Sequence, residues 1–215
     1  MEIIPAILEK DWSETEKKIK LVDGLVDWIQ LDVSDGQFTA SETWHNPQDL
    51  FLIKSDLNVE VHLMTNEPWL VAASWFPSPA KRVVVQVEAF ASPQSVRFGT
   101  LIFLAKRYGK EIVWAFKIET PWQNYEELLQ KPDSRVLFLS VEPGRQGQEF
   151  DEQVLEKIKA LKSIHPNVKI AVDGGINLEN IESIKSVGTD IAVVGSAIFD
   201  SSDTKQAINE LKKLA

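Results

Sequence analysis

Two carboxylates and an imidazole stand in the most apolar stretches of this chain: Asp32 in "IQLDVSDGQF" (29–38), His62 in "VEVHLM" (59–64) and Asp173 in "KIAVDGG" (169–175). Side chains of a strand alternate between faces, so Gln30 and Asp32 share one face while Ile29, Leu31 and Val33 share the other. A carboxylate inside such a run must be paired, protonated or bound to something, because an isolated buried charge is very costly. Glu60 beside His62, and Gln86 and Glu88 in "VVVQVE", repeat the pattern. Any one of these residues is more often a satisfied structural group. Several converging on one place favour a site. Three glycine-bearing turns, "EPGRQGQ" (142–148), "DGG" (173–175) and "GSAIF" (195–199), add a second chemistry. Glycine lets backbone N–H groups come close to a ligand, and a helix N-terminus favours an anion. Gly144, Gly147, Gly174, Gly175, Gly195 and Ser196 are therefore the expected holders of a phosphate. Arg145 adds charge there or stays in solvent.

Eight short runs rich in Val and Ile are read as strands: 3–8, 27–33, 58–64, 82–88, 111–118, 135–141, 168–173 and 191–195. Most are apolar on both faces, as parallel strands covered on both sides are. Helices are expected between them, the clearest at Asp11 to Val22, with Ser13 and Glu16 as a capping box, and at Glu149 to Ile164, with Val154, Leu155, Ile158 and Leu161 on one stripe. Others are expected near 47–54, 67–75, 92–108, 121–130, 178–187 and 203–214. Eight strand–helix units without a linker make residues 1–215 a single (β/α)8 barrel domain, an α/β fold of the TIM type. A doubly wound open sheet is the alternative, disfavoured by the count and by the lack of an early dinucleotide glycine loop. In such a barrel the chemistry lies at the C-terminal ends of the strands, and turns after strands seven and eight commonly hold phosphate.

Composition narrows the class. With 44% hydrophobic and 26% charged residues the chain is ordinarily globular. It has no cysteine, which excludes disulfides and thiolate chemistry and fits a reducing cytoplasm. The opening "MEIIPAILEKDW" shows no basic n-region and no apolar segment long enough for export, so none is expected, and no run approaches the roughly 18 apolar residues of a membrane span. A net charge of −9 argues against a nucleic-acid partner, which needs a basic surface. The expectation is a cytoplasmic protein with a small anionic ligand, no membrane and no nucleic acid.

In their order over nearly the whole chain, "PAIL", "LDVSDGQF", "VHLMT", "VEPGRQGQEF", "VDGGIN" and "VGSAIF" resemble the signatures of the ribulose-phosphate 3-epimerase family. The glycine turns occur in other phosphate-binding barrels; "VHLM" and "LDVxDGxF" are more specific. The resemblance implies a ribulose-phosphate-binding barrel that interconverts D-ribulose 5-phosphate and D-xylulose 5-phosphate. It implies Asp32 and Asp173 as the two carboxylates that take and return the C3 proton on opposite faces. It also implies a divalent metal (Zn, Fe, Mn or Mg) that stabilises an enediolate.

The departures are specific. The family places His where this chain has Gln30, so the implied metal ligands are Asp32, His62, Asp173 and Gln30, the last a poorer ligand for zinc or iron than imidazole. Weak or absent metal is therefore expected. Gln37 and Gln86 replace further histidines, and Ala6 replaces a serine. Ser34 and Leu139 stand where Met is usual while Met64 is kept, and Arg145-Gln146 stand for Phe-Gly. Ala6, Ser34, Met64, Gln86, Leu139 and Arg145 make up the expected substrate pocket. A related phosphosugar epimerase or isomerase with altered substrate, and an inactive phosphosugar-binding barrel, stay open as alternatives. His45 and His165 are read as solvated. Trp28, Trp69, Trp75 and Trp114 are read as packing, with a homo-oligomer contact through Trp69 and Trp75 as the lesser alternative.

Overall fold

The structure, a computed structural model, describes all residues except 91, 93 and 131–133. Among the described residues, eight parallel strands close into a barrel in sequence order, β1 pairing with both β2 and β8. They are β1 Glu2–Ile7, β2 Trp28–Ser34, β3 Asn58–Met64, β4 Arg82–Gln86, β5 Glu111–Phe116, β6 Arg135–Leu139, β7 Lys169–Asp173 and β8 Ile191–Val194. The apolar character of both strand faces has a direct cause. Ile3, Ile7, Ile29, Leu31, Val33, Val61, Val83 and Val85 point outward into the layer under the helices. Alternate residues Ile4, Ala6, Val84, Val113, Ala115, Leu137, Leu139, Ala171, Ile191 and Val193 fill the lumen as a separate cluster.

The helices are α1 Trp12–Val22, α2 Pro68–Trp75, α3 Val96–Arg107, α4 Gln153–Ile164, α5 Ile181–Ser186, α6 Ser196–Phe199 and α7 Thr204–Leu214. Helix α1 is capped by Asp11, whose carboxylate accepts from the Glu14 N–H at 3.0 Å, and not by the expected Ser13–Glu16 box. Asp11 is the first short polar residue before the helix and satisfies an otherwise orphaned amide. The expected helices at 47–54 and 121–130 are 3₁₀ turns, Pro47–Leu52 and Trp122–Leu128. In the first, the apolar anchors Leu50 and Ile53 stand three residues apart, the 3₁₀ period; the second is two short turns that meet at a kink at Tyr125, where φ is −128°. Helix α4 starts at Gln153 because Asp151 closes a turn by accepting the Gln153 N–H. Of the expected 92–108 helix, residue 93 lies outside the described residues. The four-residue α6 is an addition to the expected set. No helix of the described residues is long and apolar enough to cross a membrane.

Charge plugs the lower lumen. Arg82 on β4 is 2% exposed, its guanidinium lies 3.4 Å over the Trp28 ring and its Nη1 is 3.0 Å from Glu60 Oε2. Glu111 and Arg135 extend the cluster outward. Breaking a buried pair by removing one partner typically costs about 3–5 kcal/mol. Arg82→Leu, which strands Glu60, should therefore unfold at markedly lower denaturant than Arg82→Leu combined with Glu60→Leu. A urea melt of the two variants checks this, and equal midpoints would show that Glu60 is not held by Arg82. Trp75 is wholly buried, so it belongs to the core and not to an oligomer contact; Trp69 packs on Phe90 beneath Arg97.

Candidate active site

Strand register decides which polar side chains meet. Asp32 lies opposite His62, Gln30 opposite Glu60, and Asp173 opposite Leu139 across the closed sheet. All of these except Leu139 are polar groups directed at the lumen, and Asp32, His62 and Asp173 form its uppermost polar layer. The Gln30 amide nitrogen donates to Asp32 Oδ1 and to Asp173 Oδ2, both at 2.8 Å. One carboxamide thus bridges two carboxylates that would otherwise repel each other. His62 Nδ1 faces the same pair, 3.5 Å from Asp32 Oδ1 and 3.7 Å from Asp173 Oδ2. On the other side of the ring, Gln86 Nε2 is 2.9 Å from His62 Nε2.

The environment shifts these groups strongly. Burial pushes the Asp32 carboxyl up, the charge of Asp173 adds to this, and His62 and Gln30 oppose it. Burial alone would lower His62, but its contacts with Asp173 and Asp32 outweigh that and push it up to about 9. Protonation makes Nε2 a donor, and the Gln86 carboxamide can meet it by turning its oxygen, which has no partner in the present orientation. In metal-free protein the stability contributed by protonated His62 is complete below about pH 6.5 and fades as pH rises through about 9. The urea midpoint should fall across that window, and His62→Gln should flatten the fall; parallel profiles would show that His62 is not held charged.

Donor atoms of Asp32, His62 and Asp173 lie within 4.8 Å of one another, and His62 Nδ1 is buried without a hydrogen-bond partner. Two carboxylates and an aimed imidazole fit a divalent ion. Gln30 fits less well, because it presents its N–H edge to the carboxylates while Oε1 has no partner.

The cavity above is small, about 50 Å3, lined at its base by Ala6, Asp32, His62, Met64, Leu139 and Asp173. Gly144, Arg145, Gly147, Gly174, Gly175, Gly195 and Ser196 form its upper wall. Gly174 has φ +111°, and a Cβ there would lie 2.4 Å from Val141 Cγ2. Loop packing by itself therefore demands that glycine. Four expected residues are placed elsewhere. Ser34 is fully buried and its hydroxyl bonds Thr39 and the Ser41 carbonyl, so it braces the 34–43 loop and not a substrate. Gln86 lies behind His62 and does not line the cavity. Glu60 sits one layer lower in the charged plug, where burial pushes its carboxyl up to about 7 against the pull of Arg82. Glu88 lies past the end of β4 in the 3₁₀ turn Val87–Ala89 and accepts the Lys117 N–H. Gln146, absent from the expected set, does line the cavity. The signal was in the sequence, since a long side chain stands in a glycine-bearing loop.

Comparison with known proteins gives this geometry a lineage. The model of the ribulose-phosphate 3 epimerase family matches residues 2–199. This chain belongs to that family. It is 33% identical over 222 residues to ribulose-phosphate 3-epimerase of Bacillus subtilis, covering 99% of this chain and 98% of the relative. It is 30% identical over 218 residues to the Mycobacterium tuberculosis protein of the same name, covering 99% and 92%. Among solved structures, 3-hexulose-6-phosphate synthase from Salmonella typhimurium superposes with a TM-score of 0.73 at 18% identity, over 100% of this chain and 98% of that one. KGPDC from Streptococcus mutans in complex with D-R5P gives 0.74 at 14%, over 99% and 96%. At such identities these two likenesses speak for the barrel alone.

Proposed function

We propose that this member of the epimerase family is an isomerase that interconverts D-ribulose 5-phosphate and D-xylulose 5-phosphate in the cytoplasm. The observation that carries the reading is the pair Asp32 and Asp173, each 2.8 Å from the same Gln30 nitrogen at the open end of the barrel. Inversion at C3 needs a base on one face and an acid on the other. Burial and the neighbouring charge favour a proton on Asp32. In one direction Asp173 takes the C3 proton, the C–H electrons move toward the C2 ketone to give an enediolate, and Asp32 returns a proton to the opposite face. The reverse reaction exchanges their roles. Without a metal ion, His62 is charged beside both carboxylates and offsets their repulsion and the negative charge that develops above them; a bound ion would take the place of that proton. Ala6, Met64 and Leu139 give the reacting carbons a dry floor that strengthens these interactions. The amides of Gly144, Gly147, Gly174, Gly175, Gly195 and Ser196 receive the 5-phosphate, with Arg145 at the rim. A divalent ion held by Asp32, His62 and Asp173, with Gln30 as a weaker fourth ligand, would supply Lewis-acid stabilisation of the enediolate charge.

A second reading, a phosphosugar epimerase or isomerase with another substrate, is favoured by Ala6 and Arg145 on the cavity wall. A coupled assay on ribulose 5-phosphate, with divalent metal added back after chelation and deuterium uptake at C3 followed in D₂O, separates the two. Turnover with C3 exchange supports the epimerase. Binding of the phosphate without exchange removes it. Calorimetry against ribulose and ribulose 5-phosphate tests the phosphate site, and equal affinities would remove that site.

A further inference from the structure

The cavity above the carboxylates is about 50 Å3, while pockets that take small organic ligands run to about 300–1,000 Å3. Something must yield before a ketose phosphate enters. The 142–148 loop is braced on both sides of Gln146. The Ser41 hydroxyl donates to the Gly144 carbonyl, and Gln148 Nε2 donates to the carbonyls of Glu142 at 2.6 Å and Arg145 at 2.8 Å. Gly144 is also wedged on Thr39, whose side chain lies 2.5 Å from where its Cβ would be. The Gln146 side chain is held far less firmly. It crosses the mouth and donates from Nε2 to the Ala6 carbonyl on β1 at 3.4 Å, at the outer limit of a hydrogen bond. The same nitrogen lies 3.0 Å from where a Cβ on Gly195 would stand, so the absent side chain at 195 is what gives it room.

We infer that Gln146 is a strap across the mouth of the active site, closing it over Ala6 and Gly195 in the free protein and swinging aside when a ligand enters. Its carboxamide competes with the phosphate for the space beside Gly195 and Ser196, so it sets affinity and entry. The binding part of this inference rests on the proposed function. The closure does not.

Gln146→Ala removes the strap, and Gln146→Asn keeps the amide but is one methylene too short to span the mouth. One lost hydrogen bond corresponds to roughly a 2- to 10-fold change in an equilibrium constant. Two measurements are made on the whole chain. Hydrogen exchange in the ligand-free protein should become faster by about that factor at Gly195 and Ser196 in both variants, because the covering side chain is gone. Calorimetry with inorganic phosphate and with ribulose 5-phosphate should show both variants binding more tightly by a similar factor. Unchanged exchange in both variants overturns the strap. Weaker phosphate binding by both variants also overturns it, because Gln146 would then be a donor to the ligand and not a competitor. If neither the wild type nor the variants bind either phosphate, the proposed function fails, and the exchange result still decides whether the mouth is closed by Gln146.

Discussion

Asp32→Asn and Asp173→Asn are each expected to lower epimerase turnover by about 10²–10⁴-fold, the usual worth of a general acid or base, with little change in melting temperature. Asparagine matches aspartate in shape but cannot carry the proton. The structure adds a sharper expectation about stability. The two carboxylates share one donor nitrogen and repel each other, and burial already disfavours charge on Asp32. Making either one neutral removes that repulsion but also removes one of the two charges that hold His62 protonated, so the two effects oppose and the melting temperature should change little while turnover collapses. A purely structural pair makes the opposite forecast, with activity falling only as the folded fraction falls. Deuterium exchange at C3 is the direct readout. Unimpaired exchange in both variants removes these residues from the mechanism.

The second large effect is expected at Gln30→His. To act as a ligand, the carboxamide of Gln30 must turn its oxygen toward the ion and give up two 2.8 Å hydrogen bonds that hold Asp32 and Asp173 together. Histidine offers a ring nitrogen of similar reach without that conflict and suits zinc and iron better. Loss of a mere supporting partner typically costs a metal site about 10–100-fold in affinity or activity, so exchanging a direct ligand should be worth at least as much. The wild type should carry substoichiometric metal by mass spectrometry. Gln30→His should bind added Zn²⁺ or Mn²⁺ at least about 10-fold more tightly and turn over faster. A wild type already fully loaded, with no gain from histidine, would show that glutamine is an adequate ligand. Metal that rises without turnover would point to another substrate, through Ala6 and Arg145.

What the sequence made legible follows from which forces are local. The eight strands were readable because residues such as Ile29 to Val33 must be apolar toward both the helices and the lumen, or paired where they are not. Strand parity correctly put Gln30 with Asp32 and Glu60 with His62. Parity cannot give depth. Two residues along a strand are about 6.6 Å, which is the difference between the layer of Asp32, His62 and Asp173 and the plug where Glu60 meets Arg82. Nor does it show where a strand ends, so Glu88 was drawn into a site that β4 stops short of. Ser34 was misplaced for a related reason. Its hydroxyl is claimed by the loop that returns over it, through Thr39 and Ser41, a contact set by tertiary geometry. The same holds for Gln146, whose partner Ala6 is 140 residues away.

The plug of Trp28, Glu60 and Arg82 has a kinetic consequence. It closes the barrel below the carboxylates, so among the described residues the site opens upward, at the cavity mouth. A molecule that has reacted cannot be pushed out through the bottom by the next one arriving, and must retrace the route by which it came. Entry and exit therefore exclude each other in time. The two sugar phosphates would compete for one vacancy, each slowing the conversion of the other purely by standing in the doorway.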